Sequence, residues 1–87
     1  MYRVFYHKQV IKFLKKQDKN IVQKIINCFD DIKCNPKNFL NYDIKSLKGF
    51  EHKYRLRVSK YRVVFSIIDD ELLIEVIKVD SRGDIYK

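Results

Sequence analysis

The sequence predicts an α+β fold: an antiparallel sheet covered on one face by a helical hairpin, in the order β-α-α-β-β-β. Three observations carry this. Two stretches in the first 33 residues place apolar side chains at three- and four-residue steps, and so read as helices. Three later stretches of six to eight residues are rich in β-branched and aromatic residues and are separated by two- or three-residue breaks, as strands joined by hairpin turns are. The chain has 87 residues, 46% of them hydrophobic, which allows one domain over 1–87 with a single core.

Met1 to Tyr6 is aromatic and β-branched and reads as a first strand. From His7 to Gln17, Val10, Phe13, Leu14 and Gln17 fall on one helical face while Lys8, Lys12, Lys15 and Lys16 cover the other. Asp18 to Asn20 is a polar break in which Asp18 or Asn20 can cap the next helix. That helix is predicted over Lys19–Lys33 from the stripe Ile21/Val22, Ile25/Ile26, Phe29 and Ile32, and Asn35-Pro36 stops it. So short a link makes the two helices an antiparallel hairpin, whose apolar stripes need a sheet to cover.

Pro36 to Asn41 reads as a polar connection, Asp43 to Leu47 as a short turn and Lys48-Gly49-Phe50 as a loop. Strands are predicted over Lys53–Val58, Tyr61–Ile68 and Leu72–Val79, joined by turns at Ser59-Lys60 and Asp69-Asp70-Glu71. Ile85-Tyr86 either extends the sheet or lies against it. Leu47, Phe50 and Tyr54 read as core or loop anchors.

Charge is unevenly placed. The net charge is +8. Residues 45–62 hold Lys45, Lys48, Lys53, Arg55, Arg57, Lys60 and Arg62 against Glu51 alone, whereas residues 63–80 hold Asp69, Asp70, Glu71, Glu75 and Asp80 against Lys78 alone. A basic patch of that density attracts a polyanion. Cys28 lies on a helical stripe and Cys34 near that helix's end, so neither suggests a disulfide framework. His7 and His52 stand alone, without zinc-ligand spacing, so no metal site and no cofactor are expected. No apolar run approaches the roughly 20 residues that span a bilayer, and the N-terminus lacks a signal-peptide core; a cytoplasmic protein without membrane contact is expected.

The candidate site follows from strand alternation. In Tyr54-Arg55-Leu56-Arg57-Val58 the apolar side chains share one face and Arg55 and Arg57 the other. Arg62 opens the next strand and can bring a third guanidinium to the same phosphate. Arg82, before Gly83, and Tyr86 add an arginine and a phenol near the end. Arginines on rigid strands with one phenol suit the holding and cutting of an RNA phosphodiester.

These stretches resemble a known family. Leu47-Lys48-Gly49, Tyr54 to Val58, Tyr61-Arg62-Val63-Val64-Phe65 and Val79 to Tyr86, in that order and spacing, resemble the RelE/ParE superfamily of type II toxins, and the ending Ser81 to Lys87 is most like RelE-type members. The resemblance implies a RelE-like microbial RNase fold and a metal-independent, ribosome-dependent endoribonuclease (an mRNA interferase) that cuts mRNA in the A site and so inhibits translation. It implies an active surface of Arg55, Arg57, Arg62, Arg82 and Tyr86; Arg62, Arg82 and Tyr86 are expected to be catalytic, and Arg55 and Arg57, with Lys53 and Lys48 of the basic patch, to bind RNA. Better-known bacterial members carry lysines where this chain has Arg55 and Arg57, and continue past the tyrosine into a helix. The implied partners are mRNA on the ribosome and a cognate RelB-like antitoxin with an acidic or amphipathic segment, operator DNA being reached only through the antitoxin complex. Two alternatives share the fold: a ParE-like inhibitor of DNA gyrase and a catalytically inactive member.

Overall fold

A computed structural model describes residues 1–36, 39 and 41–81. Its elements are β1 (Arg3–Tyr6), α1 (Lys8–Lys15), α2 (Lys19–Cys34), β2 (Asp43–Ser46), β3 (Lys53–Val58), β4 (Tyr61–Ile68), a 3-10 turn (Asp69–Glu71) and β5 (Leu73–Ser81). The strands form one sheet in the order β1-β5-β4-β3-β2, with the helical hairpin on one face. Asp18 caps α2 by accepting a hydrogen bond from the Asn20 backbone N–H at 2.7 Å, which satisfies one of the donors a helix start leaves over.

Two features depart from the sequence expectation. Asp43–Ser46 is an edge strand rather than a turn, antiparallel to β3 with Ile44 opposite Leu56. One apolar residue among four gives too little alternation to announce a strand; its partner supplies the order. The sheet is also not wholly antiparallel, because β1 pairs parallel with β5. β1 runs directly into α1, and the His7 N–H donates to the Val76 carbonyl at 3.0 Å while the Gln9 amide donates to that of Ile77 at 2.9 Å. A chain that must seat α1 along β5 in this way enters in the direction of β5, and the helical hairpin then carries it across the sheet to β2 at the opposite edge.

The core lies between the sheet and the helices. Val10 and Leu14 of α1 and Ile25, Cys28, Phe29 and Ile32 of α2 meet Leu56, Val63, Phe65, Ile74 and Val76 of the sheet. Aromatic rings run through it: Tyr6 meets Phe29 edge-on, Phe29 meets Phe65 edge-on at 5.1 Å, and Phe65 stacks on Tyr54, which touches Phe39. Edge-on and offset contacts add to area burial in such a chain. Tyr54 is thus a core anchor as expected, whereas Phe50 is 56% exposed.

β5 contains a bulge that decides which side chains face outward. Val64 pairs with Lys78 but its neighbour Phe65 pairs with Val76, so Ile77 is the extra residue. Strict alternation from Ile74 and Val76 would drive Lys78 and Asp80 into the core. The bulge instead buries Val79 and sends Lys78 and Asp80 to the face away from the helices.

Among the described residues no helix is long and apolar enough to cross a membrane. Phe65→Ala is expected to destabilise the fold by about 3–5 kcal/mol in chemical denaturation, since it removes a fully buried ring at the middle of the aromatic chain. The thiols should differ as well. Burial pushes the Cys28 thiol up to about 12, with the Asp31 carboxylate adding to the effect, and Cys34 is exposed. A thiol reagent should therefore titrate one cysteine in the native protein and two in denaturant.

Candidate nucleic-acid interface

The face opposite the helices can be written as rows across the sheet. Asp43, Arg57, Arg62 and Asp80 form one row, each opposite the next in register. Lys45, Arg55, Val64 and Lys78 form the second, and Lys53, Ser66, Glu75 and Phe5 the third. In these three rows six cations share the face with three carboxylates, and the middle of the first row sets two arginines directly against each other. Like charges opposite one another in a sheet are destabilising.

The carboxylates engage these cations only loosely. Arg55 Nη2 lies 3.6 Å from Asp43 Oδ1, Arg62 Nη2 lies 3.8 Å from Asp80 Oδ2, and Lys78 Nζ lies 3.4 Å from that same oxygen. All three exceed the range of a good N–H···O hydrogen bond. Meanwhile Arg55 Nη1, Arg57 Nε and Arg62 Nε are buried donors without a hydrogen-bond partner among the described residues. A buried charged donor left unpaired is costly, and three on one face make a surface suited to an anion with several acceptor oxygens.

Of the residues singled out in the sequence, the fold brings Arg55, Arg57, Arg62 and Lys53 onto this one face. Arg55 is more enclosed than a residue on an open sheet face is expected to be, at 7% exposure, whereas Arg57 and Arg62 are half-buried. Lys48 stands apart, exposed in the turn between β2 and β3. Arg82, Ile85 and Tyr86 lie outside the described residues. The last described residue, Ser81, pairs with Tyr61, beside Arg62. Sequence reasoning did not assign Lys45, Asp43, Lys78 and Asp80 to this face: the first two lie on the strand that reads as a turn, and the other two depend on the bulge.

Among the described residues, some other groups capable of proton transfer have partners of their own. His7 Nε2 is 3.1 Å from Glu75 Oε2, and exposed His52 is 3.8 Å from Glu51. The Tyr61 hydroxyl donates to Gln17 Oε1 at 2.6 Å. The Tyr42 hydroxyl donates to Asp31, a bond that pushes its phenol up to about 12, and burial pushes that of Tyr6 equally high. Among the described residues no group of three or more His, Cys, Asp or Glu side chains is arranged to hold a metal ion.

Comparison with known proteins decides the family. The family model described as the ParE toxin of the type II toxin–antitoxin system parDE matches residues 4–86. A Methanocaldococcus jannaschii protein assigned as toxin RelE1 is 34% identical over 86 residues, covering 99% of this chain and 96% of its own length. The chain belongs to the RelE/ParE superfamily of type II toxins. Toxin RelE3 of the same archaeon is 31% identical over 97% of this chain and 94% of its own length. The crystallised RelE of an archaeal RelE–RelB complex from Pyrococcus horikoshii superposes with a TM-score of 0.84 at 31% identity, over 94% of this chain and 96% of that one. The RelE–RelB complex shows the fold, and these relatives of 31–34% identity carry the RelE name while the matching family model carries that of ParE.

One consequence of the loose pairing concerns stability rather than function. Arg55→Met keeps the volume of the side chain and removes a buried donor with no partner. It is expected to leave stability unchanged or to raise it by about 1 kcal/mol in chemical denaturation, whereas an arginine held for structure would cost that much or more when lost.

Proposed function

We propose that this RelE-family toxin is a ribosome-dependent endoribonuclease that cuts mRNA in the A site. The observation that carries the reading is the set of three buried guanidinium donors on Arg55, Arg57 and Arg62 that have no partner among the described residues. A phosphodiester presents acceptor oxygens that fit such donors, and guanidinium forks onto them without losing its proton.

The chemistry is attack by a ribose 2′-oxygen on the adjacent phosphorus. The 2′-hydroxyl gives up its proton, the bond to the 5′-oxygen breaks and that oxygen takes a proton, leaving a 2′,3′-cyclic phosphate and a 5′-hydroxyl. Alignment of the 2′-oxygen, neutralisation of the phosphorane and proton transfer at each end are what accelerate it. In this proposal Arg62 and Arg82 hold the scissile phosphate, and Arg55, Arg57, Lys53 and Lys48 dock the RNA. Arginine is too weak an acid to exchange protons in the reaction. That task falls to Tyr86; an ordinary phenol has a pKa of about 10, and cations near a phenol lower that value in general.

A RelB-like antitoxin is the proposed partner. The solved relatives from P. horikoshii and M. jannaschii are RelE–RelB complexes, and a basic face of this kind suits an acidic or amphipathic antitoxin segment. Operator DNA is then reached through the antitoxin, and a ribosomal substrate places the toxin in the cytoplasm. A second reading has one observation in its favour, the matching family model being named for ParE. Under it the toxin acts on DNA gyrase by protein contact, a role with no use for unpaired arginines on one sheet face.

The test is a reconstituted translation system in which the 5′ ends of mRNA fragments are mapped with and without ribosomes. Cuts within codons that require ribosomes are expected, and Arg82→Ala should lower their rate about 100-fold or more at unchanged fold. Intact mRNA in the presence of folded toxin, together with inhibited gyrase, would transfer the assignment to the ParE-like reading.

A further inference from the structure

One exposed ring stands among the cations. Of the large apolar side chains that are exposed among the described residues, two are aromatic, Phe5 at 55% and Phe50 at 56%. Phe5 meets His7 edge-on and lies opposite Glu75 in register, where a carboxylate repels phosphate. Phe50 is placed differently. Lys53 Nζ sits over its ring, 4.7 Å from the centroid. Lys53, Arg55 and Arg57 then step along the same face of β3 about 6.7 Å apart, so the ring stands at one end of a line of cations.

The ring is held there by a defined turn. The Phe50 N–H donates to the Leu47 carbonyl at 3.3 Å, and the Leu47 N–H donates to that of Lys53 at 3.0 Å, which closes the loop between β2 and β3. Gly49 lies between them at φ +83°, the value of the third residue of a type II turn. A Cβ there would meet nothing within 4 Å, so this backbone conformation, and not space, is what favours glycine.

We propose that Phe50 is a base-stacking residue. Its ring, half in solvent and backed by the Lys53 ammonium, takes the face of a nucleobase of single-stranded RNA while β3 and β4 hold the phosphates. The inference rests on the RNA-binding reading above and adds a subsite to it. Aromatic side chains beside a basic groove are the general device by which single strands are held without regard to sequence, since every base has a π-face. Lys53 over the same ring adds a cation to the contact.

The chain contains no tryptophan, so Phe50→Trp provides a single reporter at this position. Antitoxin-free Phe50→Trp is titrated with a short single-stranded oligoribonucleotide and with the same backbone lacking bases, while Phe50→Ala and Arg62→Ala are compared with the parent by fluorescence anisotropy. Stacking predicts quenching that saturates with the binding curve for the oligoribonucleotide and is absent with the baseless strand. It also predicts an affinity about fivefold or more weaker in Phe50→Ala. Unquenched tryptophan, with Arg62→Ala still weakening RNA binding, would overturn the stacking role and leave the arginine face standing. So would a Phe50→Ala variant that binds RNA normally but loses affinity for a RelB-like antitoxin, which would make the ring a protein contact. Unchanged RNA affinity in Arg62→Ala would overturn the underlying RNA reading, and this inference with it.

Discussion

Everything at the basic face depends on the register of β3 against β4. Val58 pairs with Tyr61 across the two-residue turn Ser59-Lys60, and Ser59 takes φ +54°, a positive value of the kind such tight hairpins need at their first central position. From that pairing, Leu56 meets Val63 on the buried side and Arg57 meets Arg62 on the other. A slip of β3 by one residue would turn Tyr54, Leu56 and Val58 to solvent and bring Arg55 and Arg57 beneath the helices. The core therefore enforces the apposition of two guanidinium groups that would otherwise repel each other. Phe65 carries much of this, buried between Phe29 and Tyr54.

The bulge at Ile77 extends the same arrangement to β5. By adding one residue it lets Val76 and Val79 both face inward while Lys78 and Asp80 join Arg62. Asp80 and Asp43 then stand at the two ends of the arginine row. They moderate the repulsion without closing hydrogen bonds, since the ion pairs run from 3.4 to 3.8 Å. Charge is partly offset while three buried donors stay unpaired among the described residues. On the proposed function, a surface organised in this way trades some stability for readiness toward an anion, as sites with unpaired buried polar groups generally do.

Much of this was legible in the residues. The helical stripes, the Asp18 cap and the alternation in Tyr54 to Val58 each reflect a local rule, and each appears where that rule puts it. β2 was not legible, because Asp43-Ile44-Lys45-Ser46 has one apolar residue and becomes a strand only through its partner. The parallel pairing of β1 was hidden for a related reason: strand direction is set by where α1 must sit, which is a tertiary matter. The candidate site was partly visible. Alternation gave the face of Arg55 and Arg57, but the enclosure of Arg55 and the flanking of the row by Asp43 and Asp80 come from neighbouring strands. Phe50 read as an anchor and stands in solvent, since a loop sequence does not say whether its ring turns in or out.

The central claim is that Arg57 and Arg62 are there for phosphate, and the salt dependence of RNA affinity tests it most directly. The affinity for a short single-stranded oligoribonucleotide would be measured across a range of salt for the parent, for Arg57→Ala, for Arg62→Ala and for Lys8→Ala at the start of α1. Each phosphate contact contributes about 0.7 to the slope of log K against log salt for a single strand. The account predicts that each arginine variant flattens the slope by about that amount and that Lys8→Ala leaves it unchanged. Equal slopes in all four proteins would contradict it.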